Sequence, residues 1–156
     1  MLYRKARIGD VENIHALITH YANEGLMLAR SRAMLYEFIR DFTVAEDNGI
    51  VIAAGALHIL WEDLAEIRAL AVAPEYTKKG IGRGLVQTFV KESWDLGIPK
   101  VFSLTYQDGF FAKCGFAVVS KETLPHKVWK ECIECPKFPN CDESAVLLQI
   151  DFQERY

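Results

Sequence analysis

Hydrophobic residues along this chain recur with two different spacings, which separate predicted helices from predicted strands. Apolar side chains three or four positions apart predict helices over residues 11–21, 34–39 and 85–94, and the segment "GFFAKCG" predicts a short fourth helix. Alternating or continuous apolar runs predict seven strands: residues 3–8, "FTVAED", "IVIAAGALHILW", "LAEIRALAVAP", "KVFSLTY", "FAVVSK" and "SAVLLQIDF". The order β-α-α-β-β-β-α-β-α-β-loop-β predicts an α/β (α+β) fold with a mixed sheet flanked by helices.

Turn and cap residues predict where these elements end. Asp10 and Ser31 stand where N-caps of the first two helices are expected, because their side-chain oxygens can accept hydrogen bonds from backbone N–H groups. Gly25 and Gly97 follow the first and third helices and predict their C-terminal ends. The dipeptide Asn-Gly at positions 48–49 predicts a tight hairpin.

Composition narrows the class of protein. A length of 156 residues with 51% hydrophobic content predicts a single domain, residues 1–156, with its own core. The net charge of −3 argues against general nucleic-acid binding, which usually needs a basic excess. The longest apolar run, residues 50–61, is too short to cross a bilayer, and the N-terminus is charged where a signal peptide is apolar. We therefore expect a soluble, cytoplasmic protein that binds neither nucleic acid nor membrane.

A glycine-rich and cationic elbow, "EYTKKGIGRG", connects the fourth predicted strand to a helix. Free N–H groups at a helix start and the positive end of the helix dipole favour an anion, and glycines at 80 and 82 remove side chains that would keep it away. The glycine spacing differs from that of a P-loop and from that of a dinucleotide-binding fingerprint. A phosphate cradle is one interpretation, and a solvated glycine-rich turn is the alternative.

The flanks of the elbow, "AEIRALAVAPEYTKKGIGRGLVQ", resemble the signature of the GNAT acetyltransferases, whose elbow reads Arg/Gln-x-x-Gly-x-Gly/Ala. The first position of that pattern is Thr77 here. The resemblance implies a mostly antiparallel sheet with a splayed cleft for CoA, acetyl-CoA as acetyl donor, its pyrophosphate on the elbow amides and its pantetheine arm along the preceding strand. The implied cofactor-binding residues are Leu70, Ala71, Val72, Lys78, Lys79, Gly80, Ile81, Gly82, Arg83 and Gly84.

Acetyl transfer to an amine needs a group that removes a proton from the amine and a group that returns a proton to the thiolate. Glu66 lies where several members of the family carry a carboxylate general base, although it could instead be an exposed partner of Arg68, two positions along the same strand face. The position at which many relatives carry a tyrosine donor is Phe111, which has no proton to give. Tyr106 and Thr105 are the nearby hydroxyls, Tyr106 is the predicted donor, and solvent is the alternative.

The segment "EGLMLARSRAMLYEF" resembles a Gly-x-Leu-x-x-Arg-Ser pattern in the acetyltransferase domain of bacterial N-acetylglutamate synthases, which catalyse the first step of arginine biosynthesis. The resemblance implies an amino-acid acceptor, with L-glutamate favoured, whose carboxylate is held by Arg30. A guanidinium suits bidentate carboxylate binding, whereas solvent exposure is the alternative for Arg30 and Arg32. The other candidate acceptor-binding residues are Ser31, Arg68, Lys127 and Lys130, the last two on a C-terminal loop.

That loop, "LPHKVWKECIECPKFPNCDES", also contains residue types that bind zinc. The candidates are His126, Cys132, Cys135 and Cys141. A second Cys-x-x-Cys pair is missing, so reduced thiols in a loop are the favoured interpretation and no metal is expected.

Three functions remain open from the sequence. The favoured one is direct acetyl transfer from acetyl-CoA to the α-amine of a small-molecule amino acid. The second is acetylation of another small amine or of a protein N-terminus. The third is a module that binds CoA or zinc without turnover. The sequence leaves open whether the chain forms a homodimer.

Overall fold

A computed structural model gives the fold and describes residues 1–125 and 143–152. The strands are β1 Leu2–Lys5, β2 Phe42–Asp47, β3 Ile50–Trp61, β4 Leu64–Val72, β5 Lys100–Thr105, β6 Ala117–Val119 and β7 Ser144–Gln149. The helices are α1 Val11–Asn23, α2 Arg32–Glu37, α3 Ile81–Leu96 and α4 Asp108–Lys113. The predicted order of elements is confirmed over the described residues. None of the helices described there is long and apolar enough to span a membrane.

The strands form one mixed sheet of seven strands in the order β1-β2-β3-β4-β5-β7-β6. Strands β4 and β5 run parallel, with Leu64–Glu66 facing Lys100–Phe102. The pairs β1–β2, β2–β3, β5–β7 and β6–β7 are antiparallel. The prediction of a mixed, mostly antiparallel sheet is confirmed.

The chain folds as two compact units, of which the first comprises Met1–His58 and Ile67–Lys91. In the first unit, helices α1 and α2 pack on β2 and β3 because their apolar faces match those of the strands. This core contains Val11, Ile14, Ile18, Leu35, Phe42, Val44, Ala54 and Ala56. The second unit comprises residues 59–66 and the described residues from 92 onward. Its core contains Leu64, Phe102, Leu124 and Ala145.

The predicted helix end at Gly25 is confirmed. Gly25 has φ +74°, a conformation that costs glycine little. Its N–H donates to the Ala22 carbonyl at 3.0 Å, and the N–H of Leu26 donates to the Tyr21 carbonyl at 3.0 Å. These two bonds satisfy the last carbonyls of α1 in the Schellman arrangement. The chain then enters the loop that leads to Ser31.

The predicted hairpin and second cap are confirmed as well. Asn48 and Gly49 have φ of +50° and +82°, which closes the β2–β3 turn in the sense that the strand twist favours. The Ser31 hydroxyl accepts a hydrogen bond from the Met34 N–H at 3.2 Å and so caps α2.

The prediction for Asp10 is half right. Helix α1 begins at the next residue, but the Asp10 side chain makes no cap hydrogen bond to it. Its oxygens instead accept two bonds from the Arg4 guanidinium, at 2.8 and 3.0 Å, and one from the Arg7 N–H at 2.7 Å. The Arg4 hydrogen bonds lower the pKa of Asp10 below its ordinary value. Because Ile8–Asp10 form a 3₁₀ turn, β1 ends at Lys5 rather than at the predicted residue 8.

Candidate active site

The connection from β4 into the elbow is held by backbone hydrogen bonds. The Ala73 N–H donates to the Ile52 carbonyl of β3 at 2.8 Å, which extends the sheet pairing beyond the last residue of β4. Pro74–Tyr76 then form a 3₁₀ turn. Thr77, at the first position of the elbow pattern, donates from its hydroxyl to the Pro74 carbonyl at 2.9 Å. Its side chain therefore serves to close the turn.

Two left-handed residues direct the elbow into helix α3. Lys78 has φ +64° and Gly80 has φ +82°. The first helical hydrogen bond joins the Gly84 N–H to the Gly80 carbonyl at 3.0 Å. The N–H groups of residues 81–83 precede that bond, and helix geometry gives them no carbonyl within the helix. Three such donors beside exposed cationic side chains suit a phosphate group.

One cation of the elbow has a described aromatic contact. The Nζ atom of Lys79 lies 5.3 Å from the centre of the Tyr76 ring, within the range of a cation–π interaction. Burial is the main cause that raises the pKa of Tyr76, followed by the charge of Asp47 and a hydrogen bond to it.

Gly84, one of the predicted cofactor-binding residues, also lets helix α3 pack closely against Tyr3. A Cβ atom at position 84 would overlap the hydroxyl oxygen and the Cζ atom of Tyr3. Only glycine lets the first turn of α3 lie this close to the ring on β1. The Gly84 carbonyl accepts a hydrogen bond from the Thr88 hydroxyl at 2.8 Å.

Strand β4 contains an alanine in a conformation that non-glycine residues rarely adopt. Ala69 has φ +54°, and its side chain packs against the core of the first unit. Strain of this kind persists only where the surroundings hold it, and it is concentrated at functional sites. A Cβ on Gly55 would be 3.0 Å from Leu70 and from Phe89, so β3 and β4 pack tightly here. The residues predicted to line the cofactor arm, 70–72, directly follow this irregularity.

The end of β4 is also held by a side chain of α1. The Tyr21 hydroxyl donates a 2.5 Å hydrogen bond to the carbonyl of Val72. Burial first, and then the charges of Glu24 and Glu75, raise the pKa of Tyr21, so the phenol remains protonated and can donate. In the sequence Tyr21 indicates only an apolar position of α1, and no local signal reveals its partner 51 residues away.

The two arginines of the acceptor segment differ in their surroundings. Arg30 is half-buried, and its Nε atom has essentially no contact with solvent. Arg32 is exposed, and its Nε atom lies 2.7 Å from Glu12 of α1. Arg32 is therefore paired rather than merely solvated. Between them, Ser31 uses its hydroxyl as the α2 cap, a role that competes with the predicted contact to substrate.

The candidate general base lies within a strand. Glu66 in β4 is 7% exposed and faces Phe102 of β5 in the parallel register. The alternative of an exposed strand glutamate is therefore wrong. Arg68, two positions later, is half-buried. A buried carboxylate is costly unless it has compensating interactions, which is typical of functional positions.

The candidate proton donors follow β5. Tyr106 is half-buried at the first position after the strand. The Thr105 hydroxyl accepts a hydrogen bond from the Gln107 N–H at 2.8 Å, which occupies one of its lone pairs. Phe111 is 3% exposed and packs its ring 5.2 Å from that of Phe116. The residue at the usual tyrosine position is thus part of the core.

Six candidates of the C-terminal loop lie outside the described residues. They are His126, Lys127, Lys130, Cys132, Cys135 and Cys141. The predictions for substrate binding and for zinc at these positions remain predictions.

Comparison with known proteins places this geometry in a family. The model of the acetyltransferase (GNAT) family matches residues 11–116. An uncharacterized N-acetyltransferase, CT2212, from Chlorobaculum tepidum is 43% identical over 144 residues, covering 92% of this chain and 93% of the relative. An amino-acid acetyltransferase from Mycobacterium tuberculosis is 39% identical over 131 residues, covering 82% of this chain and 75% of the relative.

Two solved structures extend the similarity to three dimensions. The crystal structure of Rv2747 from Mycobacterium tuberculosis, in complex with CoA and NLQ, matches with a TM-score of 0.86 and 34% identity, over 97% of this chain and 100% of that one. The N-acetylglutamate synthase of Neisseria gonorrhoeae, complexed with coenzyme A and N-acetyl-glutamate, matches with a TM-score of 0.86 and 28% identity. That match covers 96% of this chain and 35% of the synthase. The chain therefore belongs to the acetyltransferase (GNAT) family.

Proposed function

We propose that this protein transfers an acetyl group from acetyl-CoA to the α-amino group of an amino acid, with L-glutamate as the best acceptor. The observation that carries the proposal is Arg30, a half-buried guanidinium directly before the cap of α2, at the position of the synthase-like pattern. The similarity to an amino-acid acetyltransferase and to an N-acetylglutamate synthase supports it. N-acetylglutamate, the product, is the first intermediate of arginine biosynthesis.

The elbow fits the pyrophosphate of acetyl-CoA. The left-handed backbone at Lys78 and Gly80 exposes the N–H groups of residues 81–83, and the adjacent cations neutralise charge. When bound, acetyl-CoA supplies an acetyl group activated as a thioester. Backbone N–H groups in residues 70–72, after the irregularity at Ala69, would polarise the thioester carbonyl.

Arg30 holds the acceptor in this proposal. A guanidinium donates two parallel hydrogen bonds to a carboxylate and remains charged at every relevant pH. Partial burial strengthens that contact because the local dielectric is lower than in water. Lys127 or Lys130 would meet the side-chain carboxylate and favour glutamate over glutamine, and Ser31 and Arg68 complete the proposed acceptor set.

Glu66 removes a proton from the acceptor ammonium, directly or through one water, so that the nitrogen lone pair is free to attack. The new C–N bond then forms as the C–S bond breaks, and the attacking nitrogen, which still carries two protons, releases one of them to water to become the amide nitrogen. Tyr106 donates its phenolic proton to the departing thiolate sulfur. Phe111 cannot be the proton donor, because it has no ionisable group and lies in the core.

An acceptor screen tests the proposal. The purified protein is incubated with acetyl-CoA and each of the common amino acids, simple amines and a short peptide, and released CoA thiol is measured. We expect glutamate to give the highest kcat/KM, with glutamine and carboxylate-free amines below it. A carboxylate-free amine as the best acceptor would remove the amino-acid assignment and leave a GNAT acetyltransferase for another amine. If no acceptor leads to release of CoA thiol, a module without turnover is favoured. Titration of the protein with acetyl-CoA would then test cofactor binding alone.

A further inference from the structure

Tyr21, near the end of α1, makes hydrogen bonds to two segments that have separate roles in the proposed function. Its backbone carbonyl accepts from the N–H groups of Glu24 at 3.1 Å and Leu26 at 3.0 Å, at the start of the acceptor segment, residues 24–38. Its hydroxyl donates to the carbonyl of Val72, at the end of the cofactor strand β4. All of these residues belong to the first compact unit. One residue therefore bonds to both segments.

The hydroxyl bond fixes one side of a peptide group whose other side is also held. The N–H of that group, on Ala73, donates to the Ile52 carbonyl of β3 at 2.8 Å. Because a trans peptide is planar, its N–H and C=O point in opposite directions, so the Val72 carbonyl points away from β3. There it accepts the hydrogen bond from Tyr21. This peptide group cannot rotate without losing a hydrogen bond, and the elbow begins two residues further on, at Glu75.

The surroundings of the phenol keep it in the form that donates. Burial, followed by the charges of Glu24 and Glu75, raises the pKa of Tyr21, so the hydroxyl carries its proton at neutral pH. Glu24 is the C-cap of α1, and Glu75 lies in the 3₁₀ turn that opens the elbow. The two carboxylates that act on the phenol thus belong to the two segments that Tyr21 joins.

Helix α1 also determines where the acceptor arginine lies. The acceptor segment is attached to α1 at its start, through the N–H of Leu26. Further along, Leu35 of α2 is buried in the core that α1 forms with β2 and β3. Arg30 lies between these two attachments. Its position relative to the end of β4 therefore depends on how α1 is held against that strand, and the Tyr21 hydroxyl bond joins the two.

We propose that Tyr21 is a positioning residue that fixes the acceptor segment relative to the cofactor strand. The inference rests on the proposed function, in which Arg30 holds the acceptor carboxylate and residues 70–72 polarise the thioester. The line along which the amine attacks then depends on the relative position of these two segments. A misplacement of about 1 Å can lower a rate about 10²-fold, even when its cause lies far from the reacting atoms. Tyr21 acts through Val72 and transfers no proton to the substrates.

Tyr21→Phe tests the assignment, because it removes the hydroxyl and keeps the ring and the backbone carbonyl that ends α1. We expect kcat to fall about ten- to a hundredfold, whereas KM for the acceptor and the affinity for acetyl-CoA change less than about threefold, since Arg30 and the elbow are retained. A purely structural role would lower the free energy of unfolding and leave kcat of the folded protein unchanged. The matched control Tyr36→Phe, on the exposed surface of α2, should change none of these quantities.

Hydrogen exchange of backbone amides gives a second readout that needs no turnover. In Tyr21→Phe the Ala73 amide should exchange about three- to tenfold faster, the factor expected when its peptide group loses one neutral hydrogen bond. The amide of Gly97, at the end of α3, should be unaffected. The kinetic test uses whichever amine the unsubstituted protein accepts best, so failure of glutamate would count against the proposed function and not against Tyr21. A parental kcat in folded Tyr21→Phe, or unchanged exchange at Ala73, overturns the inference.

Discussion

The hydroxyl of Tyr3 on β1 occupies the space that a side chain at Gly84 of α3 would need. Two residues 81 positions apart in the chain are thus brought together by the absence of one Cβ atom. The contact lies at the last residue of the elbow, in the first turn of α3, so it holds the helix whose first N–H groups are proposed to bind phosphate.

Gly84→Ala should destabilise the protein by about 1–3 kcal/mol, because the added methyl group forces Tyr3 or the helix to move. Urea or thermal unfolding gives the free energy. The matched control is Gly109→Ala in α4, where an added Cβ has nothing within 4 Å. That substitution should be neutral or stabilising by about 0.4–1 kcal/mol.

A double substitution separates the contact from a general effect on the helix. In a Tyr3→Ala background the further cost of Gly84→Ala should shrink, with a coupling of about 0.5–3 kcal/mol. Strictly additive costs would mean that Tyr3 is not the group that excludes a side chain at position 84.

Gly82→Val should weaken acetyl-CoA binding at least about tenfold, since a branched Cβ beside the free N–H groups keeps the pyrophosphate away. Calorimetric titration measures the affinity, and circular dichroism checks the fold. Gly109→Val in α4, where an added Cβ has nothing within 4 Å, is the control and should bind normally. Unchanged affinity in folded Gly82→Val would remove the cradle assignment.

Glu66→Gln should lower kcat about 10²-fold near neutral pH, with a smaller loss at high pH where more of the amine is already deprotonated. Full pH profiles of kcat are the measurement. Glu62→Gln, an exposed glutamate in the β3–β4 turn, serves as control and should behave as the parent. A Glu66→Gln profile that coincides with that of the parent across the pH range would exclude the general-base role.

Arg30→Ala should raise KM for glutamate about ten- to a hundredfold. The reason is the loss of a charged hydrogen bond to the substrate carboxylate, which contributes about 1.5–3 kcal/mol. Acetyl-CoA affinity should remain nearly unchanged, and Arg30→Lys should recover only part of the loss because an ammonium lacks the planar fork. Arg32→Ala is the control, since Arg32 is exposed and paired with Glu12. Equal KM values in Arg30→Ala and Arg32→Ala would contradict the acceptor assignment.

Asp10→Asn should cost about 1.5–3 kcal/mol at neutral pH, because the carboxylate accepts charged hydrogen bonds from Arg4. The hydrogen bonds from Arg4 lower the pKa of Asp10 in the folded state. The carboxylate therefore stabilises the fold fully at pH values above its ordinary pKa of about 4, and this stabilisation is lost as the pH falls through the lowered pKa. Urea unfolding from about pH 7 to pH 2 should show the two proteins converging at the acid end. Glu37→Gln, exposed at the end of α2, should follow the parent curve; a constant gap between Asp10→Asn and the parent would argue against the ion pair.

Local sequence determined the elements and their ends. Backbone conformations and hydrogen bonds between residues a few positions apart determine where helices end and chains turn, so the sequence predicts these features. Examples are the helix ends at Gly25 and Gly97, the turn at 48–49 and the Ser31 cap. Asp10 shows where this reasoning ends. The local sequence predicts that Asp10 caps α1. In the structure its carboxylate instead accepts two charged hydrogen bonds from the Arg4 guanidinium of β1, which are stronger than a cap hydrogen bond.

Tertiary structure alone decided which distant residues meet. Tyr21 and Val72, and Tyr3 and Gly84, are brought together by the packing of helices on the strands. The left-handed Ala69 likewise has no sequence signal, because alanine does not favour that conformation and only its packed surroundings impose it. The sequence determined the elbow, the family resemblance and the candidate residues, since these depend on local spacing. Their burial and partners depend on contacts across the sheet, which local spacing does not specify.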